Sequence, residues 1–205
     1  MGGVKTNIRL RLYVFQVDSY QMNSGRRQLR LQVLARRSTG YNFIQSDLRG
    51  HETPEEGAQR MLEENGMSGL VFQVRVTGTV ARGIMIHCIA LHDSVQGPEQ
   101  LAQNLFWKDV YPRRQSELSK SMKVVVQRLI SEVEHGTAGF FLVNHKSFTV
   151  SDIRRVRMAV MGIHRDPSNF RKRVTRWVEL GVLEDLKKKR ASSTRPAQLY
   201  AYDPS

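Results

Sequence analysis

The chain has a single cysteine in 205 residues, which excludes an intrachain disulfide framework and leaves the fold to rest on its core. Cys88 lies in the apolar run "GIMIHCIAL", where a packed thiol is the expected state rather than a nucleophile. The six histidines are scattered along the chain without metal-ligand spacing, so no zinc site is expected. No apolar stretch approaches the roughly 20 residues that span a bilayer, and no signal peptide is visible. No polybasic amphipathic segment stands out as a membrane anchor either, so the chain reads as soluble and cytoplasmic, with no membrane partner. Acidic residues are also scarce, 19 against 32 Lys and Arg, for a net charge of +13. The imbalance is uneven: residues 1–135 hold 18 basic and 13 acidic side chains, residues 136–205 hold 14 and 6. A basic balance suits ribosomal, membrane-surface and nucleic-acid proteins alike. What separates them is the pattern in the last third.

There, Pro167 suits the first helical position after a capping Asp166, and Gly181 suits a helix end. Between them Phe170, Val174, Trp177 and Val178 recur at i, i+4, i+7 and i+8, one apolar stripe. The opposite face carries Ser168, Asn169, Lys172, Thr175 and Arg176, flanked by Arg171 and Arg173. These residue types neutralise phosphates and read base edges. Just upstream, Thr149 caps a helix with Asp152 at its third position and Phe148 poised to staple onto Ile153. Ile153, Val156 and Val160 form its apolar face, and Gly162 ends it. The pair reads as a helix-turn-helix whose second helix is the reader. After Leu183, the basic run containing Lys188, Lys189 and Arg190, then Arg195 and the strand "AQLYAY", reads as a winged hairpin whose tip touches phosphate backbone.

The first part of the chain is built differently. "IRLRLYVFQV" and "LRLQVLA" alternate as strands around the polar turn "DSYQMNSGRRQ", and "LVFQVRVTGTV" and "GIMIHCIAL" continue the pattern. Between them, Thr53, Pro54 and Glu56 open a helix with a capping box, Gly66 stops it, and Ala58, Met61 and Leu62 make its apolar stripe. A helix inserted among strands implies an α+β domain. Residues 94–136 read as a loop and short helix, "PEQLAQNLFWKDV", followed by a longer helix with Met122, Val125, Val126, Leu129, Ile130 and Val133 inward. A core role is expected for Phe106 and Trp107.

The segment "ETPEEGAQR" resembles the signature of Nudix hydrolases, in which a glycine loop and a helix supply glutamates that hold magnesium at a diphosphate. Glu52 stands eight residues before Arg60, as in that family. The remainder departs from it. A glutamate is expected directly after the arginine and a glutamate pair four and five positions on, whereas this chain has Met61, Glu64 and Asn65. The first and last of these positions are four apart, so they share a helix face, and both carboxylates of that face are gone. A hard dication needs several oxygen ligands. The segment therefore predicts no catalytic residues and no metal site, and Glu56, Arg60 and Glu64 form an i, i+4 ladder that would stabilise any exposed helix.

Taken together, this degenerate helix and the later motifs "FTVSDIRRV", "DPSNFRKRV" and "RPAQLYAY" resemble the Nudix-related transcription regulators of NAD metabolism. The resemblance rests on Phe148, Thr149, Asn169, Phe170, Arg171, Arg173, Arg195, Pro196 and Ala197. It implies an α+β chain in which a Nudix-like α/β/α sandwich, residues 1–136 with a linking helix, is followed by a winged helix-turn-helix over residues 137–205. It further implies a homodimeric repressor on a palindromic double-stranded operator. The Nudix-like domain would hold a small nucleotide effector without hydrolysing it, and no cofactor is expected. ADP-ribose is the effector in much of that family, while sugar-responsive members keep the architecture with another ligand. Arg36, Arg37 and Arg49 are the cations placed to reach an anionic effector. The competing class is a magnesium-dependent Nudix hydrolase of a nucleoside diphosphate derivative.

Overall fold

The computed structural model describes residues 8–22, 27–37, 43–80, 83–92, 101, 104–111, 118–143, 146–162, 167–191 and 195–202, apart from the side chains of Tyr20, Gln21, Arg27, 72–80 and 167–169. It divides into two compact units, one made of Met1–Gln16 and Gln32–Val110, the other of Val17–Leu31 and Tyr111–Ser205.

The first unit is organised on a mixed sheet. The sheet's strands are β1 (Ile8–Gln21), β2 (Arg27–Arg36), β3 (Ile44–Asp47), β4 (Gly69–Val80), β5 (Gly83–His92) and β6 (Leu105–Val110), in the order β4-β5-β1-β2-β6, with β3 also paired to β1; β1 from Val17 onward and β2 up to Leu31 are counted with the second unit. β1 runs parallel to β5 from Ile8↔Ile84 to Phe15↔Leu91 and antiparallel to β3 from Arg9↔Asp47 to Leu12↔Ile44. Period-two alternation then sends Leu10, Leu12 and Val14 to one face. There they meet Ala58, Met61 and Leu62 of α1 (Pro54–Glu64), together with Leu34, Ile86, Cys88 and Ala90, in one buried cluster. α1 can approach β1 this closely because Gly57 has no side chain: a Cβ there would lie 2.4 Å from Leu10 Cδ1. Two expectations change. Residues 105–110 form a strand instead of a short helix, because Leu105 and Trp107 alternate onto the core cluster. The polar turn after β1 is also shorter, since Asp18 to Gln21 continue the strand.

On the other face of β1, the Tyr13 hydroxyl lies 3.0 Å from His87 Nδ1, with the rings stacked at 5.5 Å. Burial, and secondarily the charge of Arg11, pushes the His87 imidazole below its ordinary pKa of 6.5. The unfolded chain therefore takes up the proton more readily than the folded one. The contribution of neutral His87 is complete above about pH 6.5 and is lost as pH falls below it. We expect the melting temperature to drop between pH 7 and pH 5, and His87→Gln to flatten that slope. An unchanged slope in the variant would remove His87 as its cause.

In the second unit, α2 (Lys120–His135) starts at Ser119, whose hydroxyl accepts the Met122 N–H, and buries Met122, Val125, Val126, Leu129 and Val133. α3 (Ala138–Phe141), α4 (Val150–Met161), α5 (Pro167–Glu179) and the two-stranded sheet of β7 (Glu184–Arg190) and β8 (Ala197–Ala201) follow. α3 is a single turn that no periodicity announced. Its Phe140 is the hub of an aromatic cluster with Phe148, Trp177 and Tyr202 at 6.1, 4.7 and 5.5 Å. No helix among the described residues is long and apolar enough to cross a membrane.

Candidate nucleic-acid interface and effector site

α4 begins with a reciprocal cap. The Thr149 side chain accepts the Asp152 N–H, and the Asp152 carboxylate accepts the Thr149 N–H at 2.9 Å. Phe148 and Ile153 are both buried, in keeping with the expected staple. Gly162, at φ 65°, ends α4 in the left-handed region that glycine adopts without strain. α5 ends in the same way. Gly181 has φ 71°, its N–H donates to the Val178 carbonyl, and the Val182 N–H donates to the Trp177 carbonyl, a Schellman end. The expected cap Asp166 lies outside the described residues.

α5 buries Phe170 and Val174 and half-buries Trp177 and Val178, so the apolar stripe is the one expected. Arg171, Lys172, Thr175 and Arg176 are exposed. Ser168 and Asn169 sit in the first turn, with side chains outside the described set. Arg173 departs from the expected exposed face: it is half-buried, with its guanidinium 5.0 Å from the centre of the Trp177 ring and donating to the Glu134 carbonyl of α2. The signal was present in the spacing, since Arg173 is three residues after Phe170 and four before Trp177 and so lies on the edge of the inward stripe.

The wing is firmer than a charged loop. Residues 187–190 lie within β7, where a register shift between Asp185 and Lys189 leaves Lys187 at φ 54°. The Asp185 carboxylate accepts from the Lys187 ammonium at 2.8 Å, the Lys187 N–H at 2.9 Å and the Gln198 amide at 2.6 Å. Lysine hydrogen bonding holds the Asp185 carboxyl below the usual carboxylate range. Lys188 and Lys189 are exposed. Arg190 is exposed too, yet it is tied to the start of α4, donating to the Asp152 carboxylate and the Ser147 carbonyl, each at 3.0 Å. Phe148 and Tyr200 exchange backbone hydrogen bonds at 2.9 and 2.8 Å, adding a short third strand to the wing. Arg195 is exposed at the foot of β8.

In the first unit, α1 opens with the expected capping box between Thr53 and Glu56. Arg60 donates to both oxygens of Glu52, at 2.7 and 3.0 Å, and to Glu64 at 3.2 Å. The Arg60 guanidinium first, and then the Arg49 N–H, hold the Glu52 carboxyl at about 2. Arg49 itself donates to Glu64 at 2.7 Å. The surviving glutamate is thus engaged by two arginines. Met61 is 1% exposed inside the core cluster, and the Asn65 amide closes the helix end on the Met61 carbonyl at 2.7 Å. These residues do not fit a magnesium ion: one position is apolar and buried, one is neutral, and the third is neutralised. Among the described residues no group of three or more His, Cys, Asp or Glu is placed to hold a metal. Of the other expected effector cations, Arg37 is exposed and Arg36 half-buried at the end of β2. Arg36 Nε is buried with no hydrogen-bond partner among the described residues.

Residues 139–202 match the family model of the NrtR DNA-binding winged helix domain. Among solved structures, the chain is similar to Shewanella oneidensis NrtR complexed with a 27mer DNA, with a TM-score of 0.62 at 16% identity over 96% of this chain and 94% of that one. It is similar as well to a MutT/nudix family protein from Enterococcus faecalis, with a TM-score of 0.63 at 16% identity over 97% of this chain and 88% of that one. Identity this low speaks to the fold alone, and the fold is shared along nearly the whole length. No curated protein sequence matches the chain.

Proposed function

We propose, from the match of residues 139–202 to the NrtR winged helix model and a fold similar to that of Nudix-related proteins, that this protein is a cytoplasmic DNA-binding transcription regulator. The observation that carries the reading is the family match over residues 139–202. The exposed cations of α5 and β7, Arg171, Lys172, Arg176, Lys188 and Lys189, support it from the chemistry. A domain of this shape inserts its second helix in the major groove and sets the wing on the backbone. Two copies on a palindrome would place two reader helices roughly 34 Å apart. The finer reading is a repressor that dimerises on its operator. Binding of a duplex panel, followed by selection of preferred sites, tests it directly. Absence of any preference over random duplex would overturn it.

The Nudix-like domain, in this reading, senses ADP-ribose or a similar nucleotide and leaves it intact. Lost carboxylates at Met61 and Asn65, and the pairing of Glu64 with Arg49 and Arg60, support the absence of metal-assisted attack. The unpartnered Arg36 Nε supports an anionic ligand near the end of β2. We expect no magnesium-dependent hydrolysis of ADP-ribose. Turnover on the order of 1 per second would restore the hydrolase reading. We also expect ADP-ribose to shift operator affinity by about 1–3 kcal/mol, the ordinary range of allosteric coupling. Operator titration at fixed salt with and without the nucleotide, beside calorimetry, measures it. Binding without a shift would sink the coupling, and no binding would point to a different effector, such as a sugar.

A further inference from the structure

Both helices of the helix-turn-helix converge on the C-terminal end of α2. That end closes in an unusual way: Gly136 is extended, at φ −102° and ψ −159°, and its N–H donates to the Glu132 carbonyl at 2.8 Å. A Cβ at Gly136 would lie 2.9 Å from that carbonyl oxygen, so the close approach requires glycine. The carbonyls of Val133 and Glu134 must then be satisfied from outside the helix. Two arginines do this. Arg157 of α4, only 7% exposed, donates Nη1 to the Val133 carbonyl and Nη2 to the Glu134 carbonyl, the latter at 3.0 Å. Arg173 of α5 donates Nη2 to the same Glu134 carbonyl. Cations at this position also complement the negative end of the α2 dipole. Each guanidinium lies over a ring of α5, Arg157 5.2 Å from the centre of Phe170 and Arg173 5.0 Å from that of Trp177.

We propose that Arg173, together with Arg157, is a positioning residue for DNA reading: it fixes the roll and tilt of the reader helix on α2 and does not itself contact DNA. This rests on the DNA-binding reading above. The apolar stripe of α5 sets which side of the helix faces inward, but it holds small tilts, slides and swings only weakly, because hydrophobic contact is non-directional. Two planar donor groups aimed at neighbouring carbonyls are directional, and lysine reproduces neither the fork nor the stacking. Base edges are read through short, angle-dependent hydrogen bonds, whereas phosphate contacts are made by long side chains that tolerate a small swing of the helix. Loosening the clasp therefore costs sequence discrimination while leaving the electrostatic part of binding in place.

The experiment uses the full chain and compares Arg173→Met, Arg173→Lys and Arg176→Ala on operator and on random duplex across a range of salt. For Arg173→Met we expect operator affinity to fall by about tenfold, the scale of one base contact, with affinity for random duplex and the salt slope unchanged. Arg176→Ala should instead weaken both duplexes and lower the slope by about 1. If Arg173→Met does not fold, as judged by near-ultraviolet circular dichroism, Arg173→Lys carries the same test. Lysine keeps the charge but not the fork, so it should show a smaller loss confined to the operator, whereas a purely phosphate-contacting arginine would be replaced with little loss on either duplex. A slope lowered by about 1 with equal losses on both duplexes, or an operator affinity left intact, would overturn the assignment. A wild-type chain with no operator preference would defeat the DNA-binding reading itself, and the two failures are distinct.

Discussion

Phe140→Ala is expected to destabilise the winged helix by about 3–5 kcal/mol, the cost of emptying a buried aromatic site. Phe140 is 3% exposed and meets Phe148 face to face, Trp177 edge-on and Tyr202 at a tilt. Those three rings come from the approach to α4, from α5 and from just past β8, so one side chain joins three separate parts of the domain. Loss of its contacts and the cavity left behind add together, since a four-residue helix has little freedom to collapse inward. Against a typical domain stability of about 5–15 kcal/mol, this removes a large share of the margin, so the domain should melt, and DNA binding be lost, at a clearly lower temperature than in the wild type. Denaturant unfolding, with hydrogen exchange of α4 and α5 amides, measures the effect. Phe140→Leu should recover much of the loss, and a cost below about 1 kcal/mol for Phe140→Ala would show that the ring fills no core site.

Removing both Lys172 and Arg176 should weaken operator binding by roughly 30-fold near 0.15 M salt, following the release of about 0.9 counterion per phosphate contact. Both residues are exposed on α5. The slope of log affinity against log salt should become shallower by about 1.8, and random duplex should lose as much as the operator. Asn169→Ala should behave in the opposite way, with a cost of about 1–3 kcal/mol on the operator and much less on random duplex. Lys188 and Lys189 in the wing should act on all duplexes alike. Losses confined to the operator for the Lys172 and Arg176 pair would move those two residues from phosphate to base contacts, and equal losses for Asn169→Ala would remove it from the specificity set.

Much of this architecture was legible because the residues that specify it are close in sequence. The capping boxes at Thr53 with Glu56 and Thr149 with Asp152 are three-residue relationships, and the stops at Gly162 and Gly181 are single positions where a left-handed backbone suits glycine. Missing carboxylates at Met61 and Asn65 were equally plain, since absence of a functional group needs no structure to be seen. The stripe Phe170, Val174, Trp177 and Val178 identified the inward side of α5. Harder cases were segments where propensity and context disagree. Residues 105–110 mix strand formers with charges, and only pairing into the sheet beside β2 made them a strand. α3 is too short for any period to develop, and it exists because Phe140 is claimed by three distant rings.

Composition, periodicity and local capping were by themselves enough to determine that this is a basic α+β chain ending in a winged helix-turn-helix, with an α1 that has Met61 and Asn65 where two carboxylates of the Nudix signature would stand. They act over one or two turns, so they report which residues form an element and which side of it faces inward. Tertiary structure alone decided how the charged side chains are used. It turned Arg173 from the reader face onto the end of α2, buried Arg157 beside it, tied Arg190 to Asp152, and added Arg49 to the Glu64 that Arg60 already reaches within the helix. An arginine can reach solvent, a carboxylate or an orphan helix carbonyl at similar local cost, and for Arg49, Arg157, Arg173 and Arg190 the choice depends on partners 15 to 39 residues away in the chain.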